Sequence, residues 1–209
     1  MGLVAQGNFE SSWLNSLSPM LMTALSQARS RVEAGTGDAA ILRWFGAAAD
    51  ADGRKAIGSI LGQLRSNINV RSIPVGFMGL AARMQNQNAR AWNIGAPQLS
   101  LGKPLAGPGV GGINTVELDL NFGRLPAYLP TIADGTIDAS TGNQSKFETL
   151  VHELTHVLLG TKDVPLASGV TAYGAQNAAA LAVESADKAL QNAENWAIFI
   201  EACGRNKSS

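Results

Sequence analysis

The sequence is poor in cysteine and in charge. Cys203 is the only cysteine among 209 residues, so an intrachain disulfide is excluded, and with it a small secreted scaffold held together by disulfides. Charged residues make up 15% of the chain, the formal net charge is zero, and no basic run is interleaved with aromatic residues. A surface that follows a phosphate backbone is therefore not expected, and we predict no nucleic-acid partner.

Long apolar runs are also absent. Nothing approaches the roughly 18 consecutive apolar residues of a membrane span, so no membrane-spanning segment is predicted. The first basic residue is Arg29, and the apolar stretch 20–25 follows serine and proline, not a charged segment. This pattern is unlike a classical signal peptide. We therefore expect synthesis in the cytoplasm, with any export depending on a specialised secretion system.

The composition is that of a globular protein, with 45% apolar residues and enough length for one sizeable core. Residues 1–17 are mixed and polar and are interpreted as a flexible arm, and residues 18–209 as a single domain. Helical spacing predicts helices at 19–34, from Asp38 onward, and at 51–68, 146–159, 175–190 and 193–202. Strands are predicted at 70–78, 89–94 and 116–122, with a glycine-rich loop at 101–114. The expected fold class is α+β, mostly helical with a small mixed or antiparallel sheet.

The two histidines of the chain stand close together. His152 and His156 are four positions apart, and Glu153 directly follows the first. On an α-helix this spacing places both imidazoles on one face, and H-E-x-x-H is a zinc-hydrolase signature. The alternative is a surface helix with two solvated histidines. Ser145 and Glu148 form a capping box that starts a helix there, and a separate apolar stripe predicts that this helix is buried on one side.

A catalytic zinc needs a third protein ligand and an open position for water. No third histidine exists, and the extended form H-E-x-x-H-x-x-G-x-x-H is excluded because positions 159 and 162 hold leucine and lysine. The third ligand is therefore expected to be a carboxylate. Glu184, with Asp187 three residues on, is one candidate. Asp163, on the loop after the helix, is the other.

Four short motifs follow one another in order: HELTH at 152–156, GTKD at 160–163, YG at 173–174 and NAENW at 192–196. Together they resemble the successive motifs of the aspzincin metallopeptidases, the deuterolysin and peptidyl-lysine metallopeptidase family. RWFG at 43–46 resembles a segment of the same family's amino-terminal helices. The resemblance covers about residues 20–202 and is specific in the carboxy-terminal third. It implies a zincin-like fold with an HExxH active-site helix, and a zinc endopeptidase that cleaves protein or peptide substrates.

The resemblance also assigns roles within the site. It implies one catalytic Zn²⁺ held by His152, His156 and Asp163, with Glu153 activating the attacking water and shuttling its proton. The family places a tyrosine near the metal to stabilise the oxyanion, three residues after the aspartate, where this chain has a leucine. We interpret 164–171 as containing an insertion and Tyr173 as the displaced counterpart. The alternative is a packing tyrosine with its hydroxyl at the surface.

Lysine-directed members of the family carry an acidic pair near the carboxy terminus, and the matching positions here are Glu194 and Ala197. Glu194 is therefore a candidate substrate-binding residue, although one of the two acids is missing. A preference for lysine after the cut and a more relaxed pocket are both compatible with this pattern. The alternative for Glu194 is an exposed charge favoured by the helix dipole.

Two further hypotheses concern the setting of the protein. Similar domains without disulfides occur in bacteria as delivered effectors or toxins, which would add a cognate inhibitor or a secretion-system partner. The competing hypothesis is a non-catalytic binding domain in which zinc is a structural element. Structural zinc sites are usually closed by four protein ligands, and only three are visible in this sequence.

Overall fold

The computed structural model describes residues 2–46, 50–77, 88–93, 114–132, 136–140 and 144–205. The helices are α1 (Asn8–Glu33), α2 (Asp38–Phe45), α3 (Ala51–Val70), α4 (Lys146–Leu159), α5 (Gly174–Glu184), α6 (Ala186–Gln191) and α7 (Ala193–Gly204). The strands are β1 (Gly2–Ala5), β2 (Ser72–Phe77), β3 (Ala89–Asn93) and β4 (Asn114–Leu118). The chain is thus mostly helical with one small sheet.

The sheet is mixed and runs in the order β1-β2-β4-β3. β1 and β4 pair with β2 in parallel, and β3 pairs with β4 antiparallel, with Ala89 opposite Leu118 and Ala91 opposite Val116. The inner strands bury β-branched residues such as Ile73 and Val75, which suit a pleated core surface. The predicted mostly helical architecture with a small mixed sheet is confirmed.

Helix α4, which carries the H-E-x-x-H stretch, packs against β3, β4 and α7. Twelve of its residues are buried, as are ten residues of α7. A helix covered by protein on most sides has fixed side-chain rotamers and a fixed axis. Groups on its one partly open face are therefore held rigidly.

The amino-terminal segment differs from the expected flexible arm at 1–17. Residues 2–5 form β1, and α1 begins at Asn8 instead of near residue 19. Pro19 lies inside the helix, where proline costs about 3 kcal/mol. Leu14 and Leu17 are buried, and burial of each contributes about 1.5–3 kcal/mol. Their burial offsets the cost of the proline, so the helix extends through it.

The strand predicted at 116–122 ends early, at Leu118. The Asp119 carboxylate accepts the N–H of Asn121 at 2.9 Å and starts a 3₁₀ turn over Leu120–Arg124. Phe122 still points into the core, where its ring packs on Trp13 at 5.2 Å between centroids. The apolar pattern thus extends past the end of the strand because the turn still buries Phe122.

Other boundaries shift by smaller amounts. The helix predicted at 175–190 is divided at Ser185, whose hydroxyl accepts the N–H of Lys188 at 3.3 Å and caps α6. The predicted loop at 101–114 lies outside the described residues, apart from Asn114 at the start of β4, and so do Met78 and Ile94 at the ends of two predicted strands. In the described part of the chain, no helix combines the length and apolarity that crossing a bilayer requires.

A buried carboxyl group lies beneath the start of α4. Glu201 of α7 has no exposed surface and accepts hydrogen bonds from the Leu129 N–H at 2.5 Å and the Ser145 hydroxyl at 2.8 Å. Burial is the largest influence and raises the pKa of Glu201 from 4.5 to about 7, against the lowering effect of these donors. The folded protein therefore holds this proton more tightly than the unfolded chain.

This pKa shift predicts a loss of stability with rising pH. Because the folded-state pKa lies above the unfolded value, the contribution of Glu201 is largest below pH 4.5 and is lost as pH rises to about 7. We expect the free energy of unfolding of wild type to fall by about 3 kcal/mol relative to Glu201→Gln over this window. Urea titrations of both metal-free proteins between pH 4.5 and 8 measure it. Parallel curves for the two proteins would contradict the prediction.

Candidate metal centre

Three side chains converge at the open face of α4. The Nε2 atoms of His152 and His156 lie 3.1 Å apart, and Asp163 Oδ1 lies 3.1 Å from the first and 3.3 Å from the second. A tetrahedral zinc ion with ligands at about 2.0–2.1 Å requires ligand separations of roughly 3.3 Å. Two imidazole nitrogens and one carboxylate oxygen are also a donor set typical of zinc. These residues therefore fit the ion.

The position of both histidines follows from how α4 begins. The Ser145 hydroxyl accepts the Glu148 N–H at 2.9 Å, and the Glu148 carboxylate accepts the Ser145 N–H at 3.4 Å. This reciprocal capping box starts the helix at Lys146. With the start fixed, His152 and His156 fall one turn apart on the same face.

The position of Asp163 follows from how α4 ends. Gly160 adopts a left-handed conformation with φ 69° and ψ 28°, which a residue with a Cβ rarely adopts. The chain reverses there, and Lys162 is held by main-chain hydrogen bonds to Gln191 at 2.8 Å and Ala193 at 3.0 Å. Asp163 follows directly, so its carboxylate returns to the histidines.

Each imidazole is oriented by a partner on its other ring nitrogen. The Nδ1 atom of His152 lies 2.9 Å from Glu194 Oε2, and that of His156 lies 2.8 Å from the Thr161 carbonyl oxygen. Both partners are acceptors, so each Nδ1 carries a proton. The Nε2 lone pairs are thereby directed at the cluster, the tautomer that a metal ligand needs.

Glu194 is not the exposed charge of the alternative hypothesis. It is 1% exposed, so it is not a solvated charge at the start of a helix. Besides its contact with His152, its second oxygen accepts the Gly174 N–H at 2.7 Å. Both oxygens are thus engaged behind the histidine. The role of Glu194 as the partner of His152 was not predicted from the sequence. The histidine could have indicated it, because a ligating imidazole usually needs a carboxylate or carbonyl partner.

Glu148 forms a second buried carboxyl group beside Glu194. Its burial, followed by the Glu194 carboxylate, raises the pKa of Glu148 well above its usual range. Contact with His152 outweighs burial at Glu194 and lowers the pKa of that group. Proton binding is therefore favoured at Glu148 and disfavoured at Glu194, as expected for two like charges in close contact. The sequence presented Glu148 only as a capping residue.

The two residues predicted to act on substrate both lie at the cluster. Glu153 is 7% exposed, and burial raises its pKa while His152 and His156 lower it. Tyr173 is hydrogen-bonded to Asp163, and its ring lies 5.9 Å from that of His152. Partial burial and the Asp163 carboxylate raise the pKa of Tyr173, so its hydroxyl remains a neutral donor near pH 7.

The electrostatics of the cluster favour a cation between the ligands. Burial favours a neutral His152, but the adjoining carboxylates of Asp163 and Glu194 outweigh it and raise its pKa well above the usual range. Burial likewise opposes the charge of Asp163, but the two histidines hold its pKa far below the usual range. Negative charge thus converges on the space between the three ligand atoms, and a divalent metal compensates it when bound.

The cluster opens into a cleft of about 530 Å³. One wall is formed by residues 88–91 of β3 and its approach, and the other by α4, Asp163 and Tyr173. Arg90 on the β3 wall is paired with Glu117 at 2.5 Å. The volume is sufficient for the side chains of a peptide segment.

The rival ligands are placed elsewhere. Glu184 accepts the Ala167 N–H at 2.9 Å, and Asp187 lies in the first turn of α6. In the described ranges, the groups of three potential metal ligands contain neither residue. Asp163 is the carboxylate that the fold brings to the two histidines.

Two histidines on a capped helix and an aspartate from the loop after it, open to a cleft, are an arrangement expected of a zinc metallopeptidase. Residues 127–201 match the aspzincin family model, described as lysine-specific metallo-endopeptidase. Among solved structures, a zinc peptidase from Grifola frondosa is similar, with 25% identity over 88% of this chain and 93% of that chain and a TM-score of 0.49. No curated protein matches the chain.

The family match confirms the resemblance stated from the motifs, over the region where those motifs are most specific. It also confirms the predicted class of enzyme, a zinc metalloendopeptidase. Zinc is its cofactor, in agreement with the donor set of the cluster. Its substrates are proteins or peptides.

Proposed function

We propose that the protein hydrolyses peptide bonds at the cluster on α4, which acts as the HExxH active-site helix of a zincin-like fold. His152, His156 and Asp163 are the proposed zinc ligands. The observation that carries this assignment is the triangle of ligand atoms with 3.1–3.3 Å edges. The protonated Nδ1 atoms support it, because they leave the ligating nitrogens free.

The reaction divides between the metal and two side chains. When bound, zinc lowers the pKa of water towards about 7 and polarises the scissile carbonyl. Glu153 accepts a proton from the attacking water and passes it to the leaving amine. Burial raises the pKa of Glu153, which brings that pKa closer to the value that favours proton transfer at neutral pH. The Tyr173 hydroxyl donates a hydrogen bond to the oxyanion that forms when water adds to the carbonyl carbon. Glu194 keeps His152 in the ligating tautomer.

A preference for lysine after the cut is the proposed specificity. The cleft contains the acidic side chains Glu153 and Asp163, the Glu194 carboxylate lies behind His152, and Arg90 on the facing wall is paired with Glu117. Such a cleft favours a positively charged substrate side chain. The family description, lysine-specific metallo-endopeptidase, supports the same choice. Glu194 would contribute through its negative charge, because its oxygens already have partners.

The specificity is tested with peptides that differ only at the residue after the cut. We expect kcat/KM for lysine to exceed that for its neutral isostere norleucine by at least about tenfold, since one charge interaction of roughly 1.4 kcal/mol suffices. Excess chelator is expected to abolish both rates, and zinc to restore them. Equal rates for the two peptides would remove the lysine preference but leave the peptidase assignment intact.

The competing function is a non-catalytic domain stabilised by zinc. A structural site is normally closed by four protein ligands, whereas this cluster joins three residues and opens into the cleft. A purely structural zinc site does not need a general base or a phenol donor, whereas Glu153 and Tyr173 lie beside this cluster. The cheap test is incubation with a denatured protein, with and without chelator.

An effector or toxin role is a further proposal, with a specialised secretion system as the route of export and a cognate inhibitor as a partner. It is supported by the single cysteine of the chain, which fits the disulfide-free domains of this kind that bacteria deliver as effectors or toxins. Expression of the protein inside bacterial cells tests it, with Glu153→Gln as the matched inactive control. Growth arrest by wild type but not by the variant is the expected result, and equal growth would contradict it.

A further inference from the structure

The segment between Asp163 and Tyr173 is a small closed hairpin, here called the 164–172 hairpin. Pro165 pairs with Thr171 in an antiparallel bridge, and the Leu166 N–H donates to the Val170 carbonyl at 2.8 Å. At its base the Ala172 N–H donates to the Val164 carbonyl at 3.0 Å. Because the ends of the hairpin meet, the residues that flank it lie side by side.

One side chain joins both ends of this hairpin to the rest of the protein. Asn192, which is 1% exposed, accepts the Val164 N–H on Oδ1 at 3.0 Å. Its Nδ2 donates to the Ala172 carbonyl at 3.4 Å and to Asn195 Oδ1 at 2.7 Å. A single amide thus contacts the residue after Asp163 and the residue before Tyr173.

The amide of Asn192 is itself held by the core. Asn195 is fully buried, and its Nδ2 donates to the Trp44 carbonyl at 2.6 Å and the Ala178 carbonyl at 2.8 Å. These contacts tie the Asn192 side chain to α2 and α5. Buried polar networks whose members all have partners specify one arrangement. The 43–46 and 192–196 motifs therefore meet in one hydrogen-bond network that ends at the hairpin base.

We propose that Asn192 is a positioning residue that sets the placement of Asp163 and Tyr173 relative to the two histidines. This inference rests on the proposed roles of those two residues. The hairpin has another side-chain anchor, the Glu184 carboxylate on the Ala167 N–H, but that contact is exposed and lies nearer the tip. Asn192 acts at the base, where a displacement moves the ligand and the phenol directly.

The test combines zinc affinity with a double-mutant cycle. Asn192→Ala is expected to weaken zinc binding by about 10–100-fold, the usual effect of removing a group that orients a metal ligand. At saturating zinc it should lower kcat/KM, and Tyr173→Phe should cost less activity in this background than in wild type. A change that only lowered stability would leave the effect of Tyr173→Phe unchanged. Glu184→Gln, the matched change at the other anchor, should leave zinc affinity near wild type.

Asn192→Asp provides a second variant of the same size. It keeps the oxygen that accepts the Val164 N–H and replaces the donor that faces Ala172. We expect zinc affinity near wild type but a reduced effect of Tyr173→Phe, which separates the two ends of the hairpin. Wild-type zinc affinity together with a full Tyr173→Phe effect in folded Asn192→Ala or Asn192→Asp overturns the proposal. If wild type cleaves no peptide, the proposed function fails, whereas the zinc titration still tests the placement of Asp163.

Discussion

Replacing Glu153 by glutamine is expected to lower kcat by about a thousandfold while zinc remains bound. The amide keeps the size of the side chain and its place beside His152 and His156, but it takes up no proton at neutral pH. General acid–base groups contribute roughly 10²–10⁴ to a rate. The three ligand atoms at the cluster are untouched by this change, so the metal content should match that of wild type.

Two measurements are needed together, kcat with a cleavable peptide and the zinc content of the purified protein. Glu184→Gln is the matched control, because Glu184 binds the Ala167 N–H and lies outside the ligand cluster. It should retain the wild-type rate. If Glu153→Gln cleaved peptide at a comparable rate with zinc bound, proton transfer would have to be assigned to another group.

The parts of the site that the sequence predicted depend on residues close together in the chain. The capping box at Ser145 and the glycine at 160 determine where α4 begins and ends, and both depend on residues within one turn. Between those two points the spacing of His152 and His156 decides which face they share. The histidine pair was therefore recognisable without any long-range contact, whereas local signals left Asp163 and Glu184 both open as the third ligand and the family resemblance favoured Asp163.

The parts that were not predicted depend on distant partners. Glu194 lies 42 positions from His152, and nothing near it in the chain indicates that its carboxylate is buried. The amino-terminal residues were interpreted as an arm because β1 shows no strand pattern of its own. It is stabilised by pairing with β2, some 70 residues later. Tyr173 was predicted from the family resemblance alone, because the contact that brings it back to Asp163, the closed base of the 164–172 hairpin, is not visible in the sequence.

Replacing Asp163 by alanine is expected to weaken zinc binding by at least about a hundredfold. The change removes one of three protein ligands and leaves two histidines alone to hold the ion, whereas catalytic zinc is ordinarily held by three protein ligands. It also takes away the hydrogen-bond partner of Tyr173. Competition with a chromogenic chelator of known affinity measures the zinc dissociation constant. Activity should fall with occupancy and recover partly at high zinc, since Glu153 remains in place.

The matched comparison is Glu184→Ala, which removes the carboxylate that the sequence left as the rival ligand. Its partner is the Ala167 N–H, so we expect a zinc affinity close to that of wild type. Asp163→Asn should fall between wild type and Asp163→Ala, because a neutral amide oxygen is a weaker zinc ligand than a carboxylate. The reverse order, with Glu184→Ala losing zinc and Asp163→Ala keeping it, would move the site to a glutamate on the later helix and contradict the triangle of ligand atoms.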